Sequence, residues 1–408
     1  MAHIPENHLF VKQLIPPFIQ EQFLAERRSG SLEAYTMFID LSGFTSLTEH
    51  LMKMGSAGAE QLSLILNRIF APVVHELYAN GGILPYFAGD ALTAIFPVST
   101  PGMDARRFLA VAQHIRHFFR EGAFSYEDFH IGIKVGLSYG QVEWGILGQE
   151  LSAYYFRGPA IDGCAKSQLM ASRQEIILDE ALHGKLPPRT ELKAFYYPGY
   201  YQLPEPEILP DPGPPLQTQL ASIQDAVAVK FLPQAVLDWD NAGEYRSVVS
   251  IFISFQGVDG HAALETFIEP VLEGIHNFGG YFKANEFGDQ GGVLTCFFGA
   301  PISYENNLNR GLEFIHNLQK DIRPLLQETG LQVRAGVTYG TAFTGIVGGA
   351  ERCQYAILGN RVNLAARLMT FADWGEFLVD EDVSKSHHFH FISRGNIRYK
   401  GIEDQIAT

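Results

Sequence analysis

Two aspartates have the types and spacing for chemistry. Asp40 ends an apolar run, Tyr35-Thr-Met-Phe-Ile-Asp40, and Asp90 lies in Phe87-Ala-Gly-Asp90 between the short apolar stretches 83–87 and 91–96. The first stretch reads as a strand and the second pair as a hairpin. In a strand-helix-strand-hairpin unit the first two strands run the same way, so Asp40 and the hairpin tip fall at one sheet edge. Two carboxylates there offer hard oxygen ligands to a divalent cation. The loop after Asp40, Leu41-Ser-Gly-Phe-Thr45, can present backbone N–H groups to phosphate oxygens, and Gly43 permits close approach. Taken singly, Asp40 reads as a helix cap and Asp90 as a turn residue. Taken together in this topology, they point to a divalent-metal and polyphosphate site.

Positioning them requires a particular unit. Leu62, Ile65, Leu66, Ile69, Phe70, Val73 and Leu77 keep helical spacing, with Pro72 expected to kink that helix. A second helix is expected over 106–120 and a further strand over 131–137. Strand-helix-strand-strand-helix-strand is the ferredoxin-like order, an α+β class.

The chain then repeats itself. Lys134-Val-Gly-Leu-Ser-Tyr-Gly140 recurs as Arg334-Ala-Gly-Val-Thr-Tyr-Gly340, and Gly145-Ile-Leu-Gly148 as Gly345-Ile-Val-Gly348. Gln168-Leu-Met170 falls near Arg367-Leu-Met369. Each half also has a helix proline, Pro72 or Pro270, nine residues before a Gly-Gly pair. Between the halves, Leu203 to Pro215 holds six prolines in thirteen residues, a stiff linker. The expected organisation is a helical arm at 1–33, a first domain at 34–203, a linker and helical brace at 204–242, and a second domain at 243–408. Two such units would pair about a pseudo-twofold axis.

Composition agrees with two folded domains and narrows the classes. The 408 residues carry a formal charge of −15 without a basic run, against a nucleic-acid surface or anionic membrane as the main partner. Hydrophobic residues at 46% allow full cores. Cys164, Cys296 and Cys353 are too scattered for a disulfide framework or zinc pattern, which suits a reducing, cytoplasmic setting. No apolar run is long enough to span a membrane, and the N-terminus does not read as a signal peptide. The histidines at 387, 388 and 390 read as a surface strand or turn.

With these residues in hand, a family resemblance emerges. Phe38-Ile-Asp40-Leu-Ser-Gly-Phe-Thr45 and Phe87-Ala-Gly-Asp90-Ala-Leu92 resemble the two metal-binding motifs of the class III nucleotidyl cyclases. Gly359-Asn-Arg-Val-Asn363-Leu-Ala-Ala-Arg367 resembles their transition-state motif. The tandem layout is similar to the soluble, bicarbonate-responsive adenylyl cyclase type. The resemblance implies two ferredoxin-like cyclase homology domains in an intramolecular head-to-tail pseudo-heterodimer, hence a monomer. It also implies ATP as substrate and two Mg²⁺ or Mn²⁺ ions held by Asp40 and Asp90 with help from the Leu41 carbonyl. Gly43, Phe44 and Thr45 would cradle the triphosphate. Asn363 would orient the ribose, Arg367 would neutralise transition-state charge, and Lys134 and Lys400 match phosphate-binding positions. Members of this layout often continue into further C-terminal domains, and the end of the chain near a final strand reads as such a fragment.

The copies diverge in complementary ways. Copy two has Ser254 at the Asp40 position, and Ser254 to Pro270 spans 16 residues where Asp40 to Pro72 spans 32. Asp289 reads as a remnant of the Asp90 position. Copy one has Asp162 and Lys166 where copy two has Asn363 and Arg367. One composite site is therefore expected to be live and the other degenerate.

Base selection departs from the adenylyl pattern. Ala356 stands where a base-reading Asp or Thr is expected, and Lys283 is the candidate adenine-reading lysine. Glu286 in its place would suit guanine. ATP is the expected substrate, with GTP the alternative. Tyr86 and Ala165 replace the two cations of the bicarbonate pocket, so little stimulation by bicarbonate is expected. A competing class is a non-catalytic nucleotide-sensing module. A polymerase-like or diguanylate-cyclase-like reading lacks its signature run.

Overall fold

A computed structural model describes residues 13–120, 124–216, 225–241, 243–288, 291–324, 329–386, 388–399 and 405–408. It divides into two compact units: Met1–Gly145 with Phe156–Val229 and Ile346–Ala356, and Ile146–Tyr155 with Lys230–Gly345 and Ile357–Thr408. Each unit thus takes in a short segment from the other copy.

In the first unit, helix α1 (Pro17–Leu24) leads into strand β1 (Ser29–Ser42), helices α2 (Phe44–Met52) and α3 (Ser56–Ala79), and the hairpin β2 (Phe87–Ala88) and β3 (Ala91–Pro97). Helix α4 (Ala105–Phe118) is capped by Asp104, which accepts from the Arg107 N–H at 2.9 Å. A small hairpin, β4 (Ser125–Tyr126) and β5 (Phe129–His130), precedes the long strand β6 (Gly132–Leu147). Then come β7 (Ala153–Arg157), α5 (Pro159–Met170), β8 (Ile176–Asp179), α6 (Glu180–His183), β9 (Lys193–Ala194) and β10 (Tyr200–Gln202). The sheet order is β2-β3-β1-β6-β8-β10-β9. Central strand β1 is antiparallel to both β3 and β6. Ala34, Tyr35, Thr36 and Met37 are buried in succession, as expected where both faces of a central strand are covered. Gly136 lets α5 lie directly on β6, since a Cβ there would meet the Cys164 carbonyl at 2.0 Å and the Gln168 nitrogen at 2.2 Å.

Helix α7 (Asp225–Phe231) follows the linker. In the second unit α8 (Gln234–Leu237) precedes β11 (Glu244–Gln256), α9 (His261–Asn277), β12 (Tyr281–Gly288), β13 (Gly291–Phe298) and α10 (Asn307–Asp321). The second half continues with β14 (Gln332–Gly348), β15 (Cys353–Leu358), α11 (Asn360–Phe371), β16 (Phe377–Val379) and α12 (Glu381–Ser384). Its sheet runs β12-β13-β11-β14-β15, with β16 parallel to β14. The core packs Ile251, Ile253, Leu264, Phe267, Val271 and Leu294 together with Leu147, Ala153 and Tyr155 from the first copy's segment.

Several expectations change. Strand β1 begins at Ser29 rather than after residue 33, pairing Ser29–Glu33 with Gly145–Gln141. Most of those residues are exposed, so no apolar pattern announced them. Helix α3 runs through Pro72 as one element. The expected strand over 83–87 is reduced to an isolated Ile83 bridge to Ile95 and the two residues of β2. Pro85 supplies no N–H, which interrupts the ladder. The brace is two short helices, α7 and α8, and residues 217–224 lie outside the described set.

Candidate active site

Asp40 and Asp90 meet at one edge of the first unit's sheet. Asp40 pairs with Ala91, and the next N–H, that of Leu41, donates to the Asp90 carbonyl at 3.2 Å. On the other side Asp40 faces Lys134 across β6, a spacing at which opposite charges interact. The Gln168 amide of α5 donates to Asp40 Oδ2 at 2.9 Å. Burial raises the Asp40 carboxyl above the ordinary range, against the opposing pull of Lys134 and Gln168. Asp90 is raised further, to about 6, first by burial and then by the charge of Asp40.

Gly43 ends β1 and precedes α2 with φ +87°, and a Cβ there would lie 2.7 Å from the His130 carbonyl. Only glycine suits that position. No side chain caps α2, so its first backbone N–H groups, at Phe44 and Thr45, are open to an anion. Thr45 is exposed, whereas the Phe44 and Leu41 side chains are buried and contribute only backbone groups.

This donor set fits a divalent cation. Two partly buried carboxylates hold excess negative charge that a cation would relieve. Among the described residues no cluster of three or more His, Cys, Asp or Glu forms a closed protein cage. Two carboxylates plus ligand oxygens is the way Mg²⁺ is commonly held.

Asn363 and Arg367 lie one turn apart on α11 in the second unit, Asn363 exposed and Arg367 half-buried. Lys283 and Glu286 lie on β12, where a register shift between Phe282 and Ala284 makes Lys283 a bulge residue. The bulge resets the alternation, and the two charges interact. Burial lowers Lys283 and raises Glu286, each opposed by the other's charge. Ala356 is buried in the segment that joins the first unit. Lys400, Asp289 and His387 lie outside the described residues.

The equivalent edge in copy two is rebuilt. Ser254 pairs with Val293 and Val293 with Glu286, after which the hairpin continues through Phe287↔Gly292 and Gly288↔Gly291. In copy one, Ala91 closes directly on Ala88. The turn of copy two is therefore carried past the position of Asp90, which corrects the direct equation of Asp289 with Asp90. Arg334, opposite Ser254, donates to the Thr370 and Ala372 carbonyls at 3.0 Å and lies 4.5 Å from the Trp374 ring centre.

Gln168 was missed as a site residue. The repeat set Gln168-Leu-Met170 beside Arg367-Leu-Met369, but backbone contacts pair Gly136 with Gln168 and Gly336 with Met369. Gln168 thus accompanies Asp40, and Met369 accompanies Ser254. The three cysteines are buried free thiols pushed upward by burial, so none is a nucleophile near neutral pH.

Comparison with known proteins agrees with the class. Residues 291–408 match the family Adenylate and Guanylate cyclase catalytic domain. The chain is similar to the class III nucleotidyl cyclases and, among them, to the soluble adenylyl type. It is 27% identical to adenylate cyclase type 10 of Homo sapiens over 82% of this chain and 23% of that protein. To the Mus musculus protein of the same name it is 26% identical, over 91% of this chain and 25% of that protein. The chain thus spans about a quarter of the length of these curated relatives. In fold, it is similar to a class III adenylyl cyclase-like ATP-binding protein from Pseudomonas aeruginosa, with TM-score 0.59 and 13% identity over 93% of this chain and 88% of the other. Among the described residues, no helix is long and apolar enough to cross a membrane.

Proposed function

We propose that the chain is an adenylate cyclase, converting ATP to cyclic AMP and pyrophosphate at one composite site, in the cytoplasm and as a monomer. The two copies would form a head-to-tail pseudo-heterodimer, with domains at 34–203 and 243–408 flanking the linker. The observation that carries this reading is the complementary loss. Copy one keeps the Asp40–Asp90 edge and the uncapped α2 turn, and copy two keeps Asn363 and Arg367.

Asp40 and Asp90, with the Leu41 carbonyl, would hold two Mg²⁺ or Mn²⁺ ions. When bound, these ions supply Lewis acidity toward the ribose 3′-hydroxyl and the triphosphate. The backbone N–H groups at Gly43, Phe44 and Thr45 bind phosphate oxygens, assisted by Lys134 and Lys400. Asn363 orients the ribose so that its 3′-oxygen lies in line with the α-phosphorus. Arg367 donates to the oxygens that gain charge as pyrophosphate leaves. Lys283 at its bulge reads adenine, and buried Ala356 leaves the rest of the base contact to shape.

The test is purified chain with Mn²⁺ and either ATP or GTP, reading cyclic nucleotide and pyrophosphate. Cyclic AMP that is lost in Asp40→Ala supports the reading. Cyclic GMP alone would favour the Glu286 alternative, a guanylate cyclase. Nucleotide binding with neither product would favour a non-catalytic sensor, the alternative suggested by the likeness to an adenylyl cyclase-like ATP-binding protein.

A further inference from the structure

The outer edge of the hairpin that carries Asp90 is met by side chains from β15 and the residue before it. Strand β2 has only two residues and ends its sheet. The Phe87 N–H donates to Gln354 Oε1 at 3.2 Å, and Gln354 Nε2 donates to the Phe87 carbonyl at 3.2 Å. One amide side chain thereby satisfies both backbone groups, as a neighbouring strand would. Just upstream, Arg352 donates from Nε to the Leu84 carbonyl at 3.2 Å and from Nη2 to the Pro85 carbonyl at 2.8 Å. Its Nη1 reaches the Leu14 carbonyl at 2.7 Å. Arg352 is fully buried. A guanidinium has donors only, and this stretch, interrupted at Pro85, offers carbonyls.

The geometry points to Gln354, backed by Arg352, as a positioning residue for Asp90, a clamp supplied by the second copy to the carboxylate edge of the first. It rests on the reading of Asp90 as a metal ligand. Phe87 lies three residues before Asp90, with the pivot Gly89 at φ +71° between them. Holding both backbone groups of Phe87 sets where the turn projects its carboxylate. In copy two's hairpin, β12 is ladder-paired to β13 along Tyr281–Gly288 with one bulge, so eight residues rather than two anchor that strand. The clamp thus acts on the short strand that leads into Asp90. It follows that copy one does not complete its metal edge alone.

The experiment uses the full chain, with Mn²⁺ alone as the probe. Gln354→Met keeps volume and removes both hydrogen bonds. Hydrogen exchange at the Phe87 amide should accelerate about tenfold or more, and Mn²⁺ affinity by electron paramagnetic resonance should fall about five- to tenfold. Activity at saturating Mn²⁺ should largely recover, so the defect lies in the metal requirement rather than in kcat. Arg352→Lys, which keeps the charge but not the fork, should show a smaller change in the same direction. Unchanged Mn²⁺ affinity in Gln354→Met, with affinity lost in Asp90→Asn, would overturn the clamp. Unchanged affinity in Asp90→Asn would instead overturn the metal assignment, and the Phe87 exchange rate tells the two failures apart.

Discussion

The two hairpins, β2–β3 and β12–β13, occupy matching places in their sheets and close differently. In copy one the turn closes at Ala88↔Ala91, leaving Gly89 and Asp90 at the sheet edge beside Asp40. In copy two the ladder runs on to Gly288↔Gly291, beyond the level of Ser254. Copy one also inserts α2 between its first strand and long helix, whereas copy two passes from β11 to α9 without it. The halves thus differ in hairpin register and by one helix at the carboxylate edge, while the central strand order β2-β3-β1-β6 matches β12-β13-β11-β14. In both halves the central strands are held by buried ladders, and the difference lies at the sheet edge.

That contrast can be broken experimentally. The largest effect should come from Asp40→Ala, which should lower cyclic nucleotide formation by about 10³-fold or more, while Ser254→Ala leaves it within twofold. An equal loss from both would end the distinction between a live and a degenerate edge. Next, Arg367→Ala should cost about 10²- to 10³-fold in kcat with little change in KM, and Lys166→Ala, at the matching position of copy one, almost nothing.

A stability measurement sharpens the same point with the opposite sign. Asp90 keeps its proton up to about pH 6 when folded and loses it near 3.9 when unfolded. Between those values the folded state binds more protons, so stability falls as pH rises from about 4 to about 6. At pH 7 the ionised group costs about 3 kcal/mol in the metal-free protein. Asp90→Asn should therefore raise metal-free stability at pH 7 by up to that amount and show little effect near pH 4, read by denaturant unfolding. Stability lowered by this substitution at pH 7 would contradict the strained-edge account. The smallest effect concerns bicarbonate. With Tyr86 and Ala165 in place of two cations, turnover at fixed pH should change less than about twofold.

Much of this was legible along the chain. Asp40 and Asp90 announce themselves because each ends or interrupts an apolar strand, and strand direction alone brings them to one edge. Asn363 and Arg367 are picked out by the resemblance of the 359–367 motif rather than by spacing, and Ser254 by comparison of the two halves. The start of β1 at Ser29 was not legible, because exposed residues in a strand leave no apolar signature. The brief extent of β2 had a local clue in Pro85, but what replaces the missing ladder did not.

What the sequence by itself determined was that Asp40 and Asp90 fall at one sheet edge, which follows from residue type and strand direction. Only the tertiary structure decided that Gln168 holds Asp40, that Lys283 sits on a bulge beside Glu286, and that Gln354 covers the edge of Phe87. Those hydrogen bonds to Asp40 and Phe87 join residues 128 and 267 positions apart. Neighbour spacing carries no record of such pairings, because they arise where packed strands and helices leave a polar group in need of a partner.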